Sequence, residues 1–406
     1  MCGEPVSQGK YPTWCPACEW GIPKPAEEQQ GFLRSLVNRW SARQVGALFE
    51  QVSGTTVQRP GSGLARVVSY AFALAVHLTC VALLAVAIWL IVTRPSVVTV
   101  ILAIIALFLA YHLRPRLGSL RKIRHVRYRD DAPVLFGVLD RVAAEVGAKP
   151  VHAVVADGSW NASYSSVGWR RRRVVTLGLP LWDSLSADQK MAVLGHEFAH
   201  GVNGDARHGV IVGTSLATLA RLNALLRPDP LLRARRGGRR GAAEHLGYAV
   251  QQLLRGPIVA AFTTQQLISL RASQRAEYLA DAIGARTASP ASMAGALDAI
   301  VAGRDTFKTV IEQRKGRKSH PVSGHSNPDF WDGLRSSLAA VPESELERRR
   351  RVARHALLRI ANTHPPAHLR ISMLSGLSSV ASVSLSAVQE DKIRAELARD
   401  YARIGH

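Results

Sequence analysis

The chain has 406 residues, of which 47% are hydrophobic and 20% are charged, so it is long enough for two or three domains. Its formal net charge of +22 indicates an anionic partner, either nucleic acid or the anionic face of a membrane. Four cysteines in a chain of this length exclude a disulfide-rich secreted scaffold.

Residues 1–25 contain three of the cysteines, Cys2, Cys15 and Cys18. Cys15 and Cys18 form a complete Cys-x-x-Cys turn. Cys2 stands where the second cysteine of another such turn is expected. Because tetrahedral zinc takes four ligands, often thiolates from two such turns, we predict a zinc-ribbon-like segment with a structural zinc ion. The missing cysteine would lie just before Met1, which predicts a start further upstream. Two free cysteines in a disordered tail are the alternative.

Residues 26–63 are predicted to form a linker that contains an amphipathic helix over 31–52. Phe32, Leu36, Trp40 and Leu48 recur there near helical spacing. This helix could lie at a membrane interface or pack on its own protein.

Residues 64–116 contain two uncharged stretches, 67–93 and 95–113. Each is long enough to cross a hydrocarbon core of ~30 Å as a helix, and Arg94 and Pro95 make the connection between them. We therefore predict a transmembrane helical hairpin. A buried hairpin in a soluble core is the weaker alternative, because soluble helices seldom stay apolar on every face.

Basic residues flank this hairpin on both outer sides. Arg59 and Arg66 precede it, and a cluster of basic residues follows it, namely Arg114, Arg116, Arg121, Lys122, Arg124, Arg127 and Arg129. The positive-inside rule therefore places both ends in the cytoplasm. A basic collar at the lipid bilayer accounts for much of the net charge, so nucleic acid is not expected as a partner. The preference for arginine over lysine, 43 against 9, is typical of a GC-rich bacterial genome, which predicts a multi-pass protein of a bacterial cell membrane.

Residues 130–375 have the pattern of a mostly helical domain with a small β-sheet. Residues 132–146 are periodic and helical, whereas 151–156 and 174–179 are β-branched runs typical of strands. Ser186 and Gln189 have the spacing of a capping box, which predicts that another helix begins near Ala187.

That helix carries the segment His196-Glu197-Phe198-Ala199-His200. Residues four apart share one face of a helix, so His196 and His200 can bind the same ion. Glu197 directly follows His196, so its side chain projects from the neighbouring position on the helix. From there it can reach a metal-bound water molecule without binding the metal itself. A catalytic zinc ion needs a third protein ligand and an open position.

The best candidate for the third ligand lies downstream, where Glu277 and Asp281 stand four apart on another predicted helix. Glu277 can bind zinc, while Asp281 can accept the outer N–H of a ligand histidine and so fix its tautomer. A pair of histidines alone could be an ordinary surface pair. The added acidic pair favours a catalytic site.

The segment HEFAHGVNGD at 196–205 and the segment around Glu277 are similar to the HtpX-like and CAAX prenyl protease type I zinc endopeptidases. His364-Pro365-Pro366 with Arg370 resembles a C-terminal element of that family, and Asn161-Ala162 resembles its Asn-Ala pair ahead of the edge strand. Together these matches span about residues 130–372.

This resemblance implies a gluzincin fold, mainly α with a small β-sheet. It implies that His196, His200 and Glu277 bind zinc and that Glu197 is the general base. It also places His364 or Arg370 near the developing oxyanion. The implied activity is hydrolysis of peptide bonds in polypeptide substrates, with membrane-protein quality control as the role that fits.

Two parts of the chain depart from the family pattern. Residues 209–226 and 246–270 are only moderately apolar, and the connection between them is rich in arginine. We predict a cytoplasmic helical hairpin on the membrane surface there, because intramembrane arginine is costly. Residues 376–406 are predicted to form a separate helical tail.

Two other functions compete with the surface endopeptidase. An intramembrane-cleaving protease would place its histidine motif in a membrane span and use an aspartate ligand, yet Asp188 and Lys190 precede the motif here. A non-catalytic membrane adaptor with a zinc ribbon would not need the complete motif.

Overall fold

The computed structural model describes residues 2, 9–23, 43–53, 64–93, 95–202, 209–227, 242–319, 330–355 and 364–405. The chain forms two compact units. One comprises Met1–Arg59, Ser119–Ala206 and Ser273–His406, and the other comprises Pro60–Gly118 and Arg207–Ala272. The prediction of a mainly helical chain with a small sheet is confirmed, because the described residues contain one four-stranded sheet among many helices.

The helices of the described residues are numbered along the chain. They are α1 (43–52), α2 (Leu64–Thr93), α3 (Val97–Leu113), α4 (Pro133–Val146), α5 (Leu179–Ser184), α6 (Ala187–Val202), α7 (Thr214–Leu225), α8 (Ala242–Thr287), α9 (Pro290–Ser319), α10 (Phe330–Ala339), α11 (Glu343–His355), α12 (Ala367–Ser375), α13 (Ala387–Glu396) and α14 (Ala398–Gly405). Helices α2, α3 and α7 belong to the second unit, and α8 begins in the second unit and ends in the first.

The sheet belongs to the first unit and has the strand order β1-β2-β4-β3. Its strands are β1 (Val126–Arg127), β2 (Ala153–Asp157), β3 (Ala162–Val167) and β4 (Arg172–Gly178). The central strands β2 and β4 run parallel, whereas β3 pairs with β4 in the antiparallel direction. Strand β3 is therefore an edge of the sheet. Buried Val154 and Val175 fill the central strands, as expected for β-branched residues on a pleated surface.

Helix α4 lies at the centre of the core of the first unit. Leu135, Phe136, Leu139 and Val142 are fully buried, and their spacing of three or four residues places them on one face of the helix. The helix ends at Gly147, whose φ of +74° is the left-handed conformation that favours glycine at a helix C-terminus.

The segment predicted as a separate tail, 376–406, packs into this same core. The carboxylate of Glu396 accepts the backbone N–H groups of Val134 and Leu135 at 2.7 and 3.0 Å, which satisfies two unpaired donors at the start of α4. The indole N–H of Trp331 donates to the carbonyl oxygen of Tyr401 at 3.1 Å. The end of the chain therefore helps to hold the first unit together.

Helices α6 and α8 approach each other closely at two glycines. A Cβ atom on Gly195 would lie 2.4 Å from Thr287 Oγ1 and 3.2 Å from the Cα of Gly284. A Cβ atom on Gly284 would lie 2.7 Å from the carbonyl oxygen of Ala192. Only residues without a side chain allow this contact, which brings the histidine motif beside the last turns of α8.

The second unit contains the apolar helices. Arg66–Thr93 has a mean hydropathy of 2.5 and is the one helix of the described residues that is long and apolar enough to cross a membrane. Helix α3 is shorter than predicted, because Ser96 caps it through Thr99 and Arg114 ends it. Its 17 residues span roughly 25 Å at about 1.5 Å per residue.

Helices α2 and α3 pack against each other through small residues. Ala87, Ala103 and Ala106 are buried between them, and Cys80 Sγ lies 3.3 Å from the carbonyl oxygen of Ala110. Because residue numbers rise along one helix as they fall along the other, the two helices are antiparallel. Most other large side chains on both helices are exposed. Close packing through small residues with an apolar outer surface is typical of helices in lipid.

The moderately apolar segments predicted as a surface hairpin pack with these helices. His77 Nε2 of α2 lies 3.2 Å from Thr214 Oγ1 of α7. Ser69 and Ser269 are 2.8 Å apart through their hydroxyl oxygens, and Ser215 donates to Gln265. Interhelical polar contacts of this kind therefore join both segments to α2.

Several predicted features lie outside the described residues. These are the greater part of the helix predicted over 31–52, the end of the predicted linker at 54–63, Arg94 and most of the arginine-rich connection at 228–241. The described part of the first, α1, buries Leu48 in the core and places Phe49 with its ring 6.5 Å from that of Tyr278. This part packs on its own protein.

Replacement of Gly284 by alanine tests the contact between α6 and α8. We expect Gly284→Ala to lower the free energy of unfolding by about 1–3 kcal/mol, because the new methyl group has no space. The measurement is denaturant unfolding of the purified full chain in detergent.

Gly137→Ala is the matched control, because Gly137 lies on α4 and nothing stands within 4 Å of the place that a Cβ atom would take there. It should leave stability unchanged or raise it by up to about 1 kcal/mol. Equal stability of Gly284→Ala and the wild type would show that the two helices do not need glycine at their contact.

Candidate active site

The histidine motif lies on α6, and the predicted capping box at its start is confirmed. The backbone N–H of Gln189 donates to Ser186 Oγ at 3.3 Å, and the backbone N–H of Ser186 donates to Gln189 Oε1 at 3.0 Å. The apolar face of the helix, with Met191, Leu194 and Phe198, is buried in the core. This packing fixes the rotation of the helix and hence the direction of its histidines.

His196, His200 and Glu277 meet at one point. The Nε2 atoms of His196 and His200 are 3.2 Å apart. Glu277 Oε2 lies 3.6 Å from His196 Nε2, and Glu277 Oε1 lies 3.5 Å from His200 Nε2. One ligand atom of each residue lies within 4.8 Å of the others.

A second layer of buried charges holds this group. Asp281 Oδ1 lies 3.0 Å from His196 Nδ1, at hydrogen-bond distance. Arg370 donates two hydrogen bonds to the Asp281 carboxylate, from Nε at 2.7 Å and from Nη2 at 2.6 Å. Asp281 is completely buried, so its charge depends on these partners.

The charges of this cluster reinforce one another. Burial alone would raise the pKa of the Glu277 carboxyl, but His364, Arg370 and His196 bring that pKa well below its ordinary value. Burial likewise acts to raise the pKa of Asp281, and Arg370 outweighs it and lowers the pKa. Both carboxyl groups are therefore ionised at neutral pH, which a cation at the site requires.

Glu197 lies next to His196 in sequence but bonds to a different element. Its Oε2 accepts the backbone N–H of Tyr164 on β3 at 2.9 Å. The Tyr164 ring packs on Gly201, where a Cβ atom would lie 2.9 Å from the ring, and against Phe198 at 5.6 Å between ring centroids. Sequence analysis missed Tyr164, although its position in a strand just after Asn161-Ala162 was a usable signal.

The direction of the Tyr164 N–H follows from the pairing of the strand. The carbonyl oxygen of Asn161 accepts the N–H of Gly178, so Asn161 faces β4. Alternate residues of a strand direct their backbone groups to opposite sides, so Ala162, Tyr164 and Ser166 face the open edge of the sheet. Glu197 therefore lies along that open edge. Asn161 and Ala162 mark the beginning of this edge strand.

His364 and Arg370 differ from each other in position. His364 is 63% exposed at its side chain, and its Nδ1 lies 2.8 Å from Glu277 Oε2. Arg370 is buried, and its Nη2 lies 3.6 Å from Glu277 Oε2 behind the carboxylates. The family resemblance predicts that Arg370 lies near the developing oxyanion. Its two hydrogen bonds to Asp281 favour a positioning role instead.

The geometry of the three side chains fits a divalent metal ion. Asp281 can accept a hydrogen bond from the Nδ1–H of His196, which leaves the Nε2 lone pair directed at the site. Two nitrogen ligands of a tetrahedral zinc ion are about 3.3 Å apart, close to the observed Nε2 separation of 3.2 Å. Two imidazoles and a carboxylate are also the ligand types that zinc peptidases use.

Known proteins resemble the part of the chain that holds this site. Residues 132–378 match the model of Peptidase family M48. The chain is similar to Protease HtpX of Xylella fastidiosa (strain 9a5c), with 32% identity over 184 residues, 44% of this chain and 61% of the relative. It is also similar to Protease HtpX of Stenotrophomonas maltophilia (strain K279a), with 30% identity over 183 residues, 44% of this chain and 62% of the relative.

A longer alignment joins the chain to Protease HtpX homolog of Syntrophobacter fumaroxidans, with 26% identity over 254 residues, 61% of this chain and 77% of the relative. The chain thus spans about three-fifths of the length of the first two relatives. No solved structure matches it. The resemblance to HtpX-like proteases inferred from the motifs is confirmed, and the family match covers more than half of the chain, so the chain belongs to peptidase family M48.

Proposed function

We propose that the protein is a membrane-bound zinc endopeptidase that hydrolyses peptide bonds at the cytoplasmic face of a bacterial cell membrane. One observation supports this proposal most directly. One ligand atom each of His196, His200 and Glu277 lies within 4.8 Å of the others, and Glu197 lies beside them on the open edge of the sheet. The three side chains would hold a zinc ion, and Glu197 would serve as the general base.

Zinc, when bound, would polarise the scissile carbonyl group and lower the pKa of an attacking water molecule. The protein side chains orient the metal ligands and transfer the proton. Asp281 and Arg370 hold the ligand His196 in one orientation. Glu197 takes the proton of the water and delivers it to the leaving amine.

The position of Glu197 also supports a mode of substrate binding. An extended peptide can add to the open edge of β3 through backbone hydrogen bonds. Ala162 and Ser166 direct backbone groups to this edge on either side of Tyr164, whose N–H bonds Glu197. A peptide bound there passes directly by the general base. The exposed His364 lies at the mouth of the site, where it could stabilise the developing oxyanion.

The membrane location rests on the second unit. Helix α2 is long enough to span a bilayer, and α3 packs beside it with an apolar outer surface. The basic residues on the outer flanks of both helices favour a cytoplasmic active site. Polypeptides emerging from the membrane are therefore the substrates that this location favours, and quality control of membrane proteins is the role that we propose.

Replacement of Glu197 by glutamine tests the role of the general base. We expect Glu197→Gln to retain zinc and to lose proteolysis of casein, or of the chain itself, by about 10²–10⁴-fold, because an amide cannot take the proton. The measurement is zinc content together with cleavage rate for the purified full chain in detergent.

Glu145→Gln is the control, since Glu145 is an exposed carboxylate on α4. It should cleave like the wild type. Full activity of Glu197→Gln would contradict the assigned role, and absence of cleavage by the wild type with zinc bound would favour a membrane adaptor.

Replacement of Asp281 by asparagine tests the positioning of the ligand His196. We expect zinc affinity to fall by about 10–100-fold, because the amide cannot hold both the imidazole and the Arg370 guanidinium. Competition with a chromophoric chelator measures this affinity.

Asp298→Asn is the matched control, because Asp298 forms an equally close pair with Arg350 on other helices. It should leave zinc affinity unchanged. Equal zinc affinity of Asp281→Asn and the wild type would remove Asp281 from the ligand-orienting role.

A further inference from the structure

Three cysteine sulfur atoms meet in the N-terminal segment, outside residues 132–378 that match the peptidase family. Cys2 Sγ lies 3.3 Å from Cys15 Sγ and 3.3 Å from Cys18 Sγ. A disulfide bond is about 2.05 Å long, so neither pair is bonded. Two thiolates on one tetrahedral zinc ion are about 3.8 Å apart, which is close to the observed distances. A redox-active pair of cysteines would not require the third sulfur.

The backbone of the turn surrounds the Cys15 sulfur. The N–H groups of Cys18 and Ala17 bond to this sulfur. The turn is closed by the N–H of Cys15, which donates to the carbonyl oxygen of Trp20 at 2.9 Å. Gly21 has a φ of +83°, and a Cβ atom there would lie 2.3 Å from the carbonyl oxygen of Thr13. This is a tight knuckle in a segment too short for a hydrophobic core of its own.

We call residues 9–23 together with Cys2 the knuckle. It lies against helix α11. Arg351 of α11 donates from Nη1 to the carbonyl oxygen of Pro16 at 2.5 Å, between the two cysteines of the turn. The same guanidinium lies 5.0 Å from the Trp14 ring centroid. His355 Nε2 lies 2.9 Å from Glu19 Oε2.

Helix α11 is in turn fixed to α9, which packs on the helix of the histidine motif. Arg349 donates to the carbonyl oxygen of Ala302 at 2.6 Å, and Arg350 forms two hydrogen bonds of 2.7 Å with Asp298. A continuous series of contacts within the first unit therefore leads from the knuckle to the motif helix.

We propose that Cys2, Cys15 and Cys18 form a second zinc site, and that the zinc-loaded knuckle clamps helix α11. Three thiolates and one further ligand complete the tetrahedral coordination of the ion. The site is structural in kind, since it crosslinks a short segment that packing alone does not hold. This inference does not depend on the proposed peptidase activity.

The knuckle is linked to the candidate active site by a short stretch of the chain. His355, which contacts the knuckle, is nine positions before His364, which contacts Glu277. The knuckle thus fixes α11 at one end of the short stretch that leads to His364. Loss of the second zinc ion should loosen this end without removing any ligand of the first.

Zinc counting on the purified full chain tests the second site. The wild type should carry about two zinc ions per chain by elemental mass spectrometry, since each ligand group holds one. The double variant Cys15→Ser/Cys18→Ser should carry one fewer ion and keep the ion bound by His196, His200 and Glu277. The double variant His196→Ala/His200→Ala should lose only that other ion, so failure of either site is visible separately.

Two results would overturn the second zinc site. One is an unchanged zinc content in Cys15→Ser/Cys18→Ser, and the other is a Cys15–Cys18 disulfide found by mass spectrometry of the unreduced chain. Should the cysteine variant fold poorly, cobalt substitution of the wild type decides, because thiolate ligands give a sulfur-to-cobalt charge-transfer band. Presence of that band supports the site, and its absence contradicts it.

Replacement of Arg351 by alanine tests the clamp. We expect Arg351→Ala to release the cysteine-bound zinc to a chelator faster by on the order of ten-fold, because the turn loses its support. Arg348→Ala is the control, since Arg348 pairs with Glu345 within α11. It should release zinc like the wild type. Equal release rates for Arg351→Ala and the wild type would overturn the clamp.

Discussion

The carboxylate of Asp281 is the interaction on which the candidate active site depends. It is wholly buried, and it joins His196, a proposed metal ligand, to the guanidinium of Arg370. A buried charge is stable only when it is paired and hydrogen-bonded, so each of the three groups needs the other two. The cluster joins three helices, because Arg370 lies on α12, Asp281 on α8 and His196 on α6. Fold and site share this cluster, and a change in one of its members affects both.

Local chemistry made several features predictable from the sequence. The four-residue spacing of His196 and His200, the capping box at Ser186 and the acidic pair on α8 all follow from helix geometry. The partners across the fold were not predictable in this way. Arg370 lies 89 positions from Asp281, so no local rule joins them. The resemblance to the family drew attention to Arg370 but suggested an oxyanion role rather than a positioning one.

Two segments of the chain are held by polar contacts of the same kind. Residues 376–406 lack a distinctive pattern, yet Glu396 caps helix α4 and so draws the end of the chain into the core. Residues 209–226 are more polar than a typical membrane span, yet their serine and threonine hydroxyl groups bond to α2 and α8. In both segments polar side chains find partners far away in sequence. Composition measures how polar a segment is, and it carries no information about these partners.

The contact between Tyr164 and the motif helix fixes more than the direction of a carboxylate. A slip of one residue between β3 and β4 would turn the Tyr164 N–H toward β4 and bring Ser163 or Ser165 opposite Glu197. That serine would still offer a backbone N–H to the carboxylate, but its side chain could not replace the Tyr164 ring that packs on Gly201 and against Phe198. The alignment of β3 is therefore fixed by an aromatic ring as well as by a backbone hydrogen bond. Changes in the length of the hairpin between β3 and β4 are restricted by packing against α6, a helix that follows the hairpin in the chain.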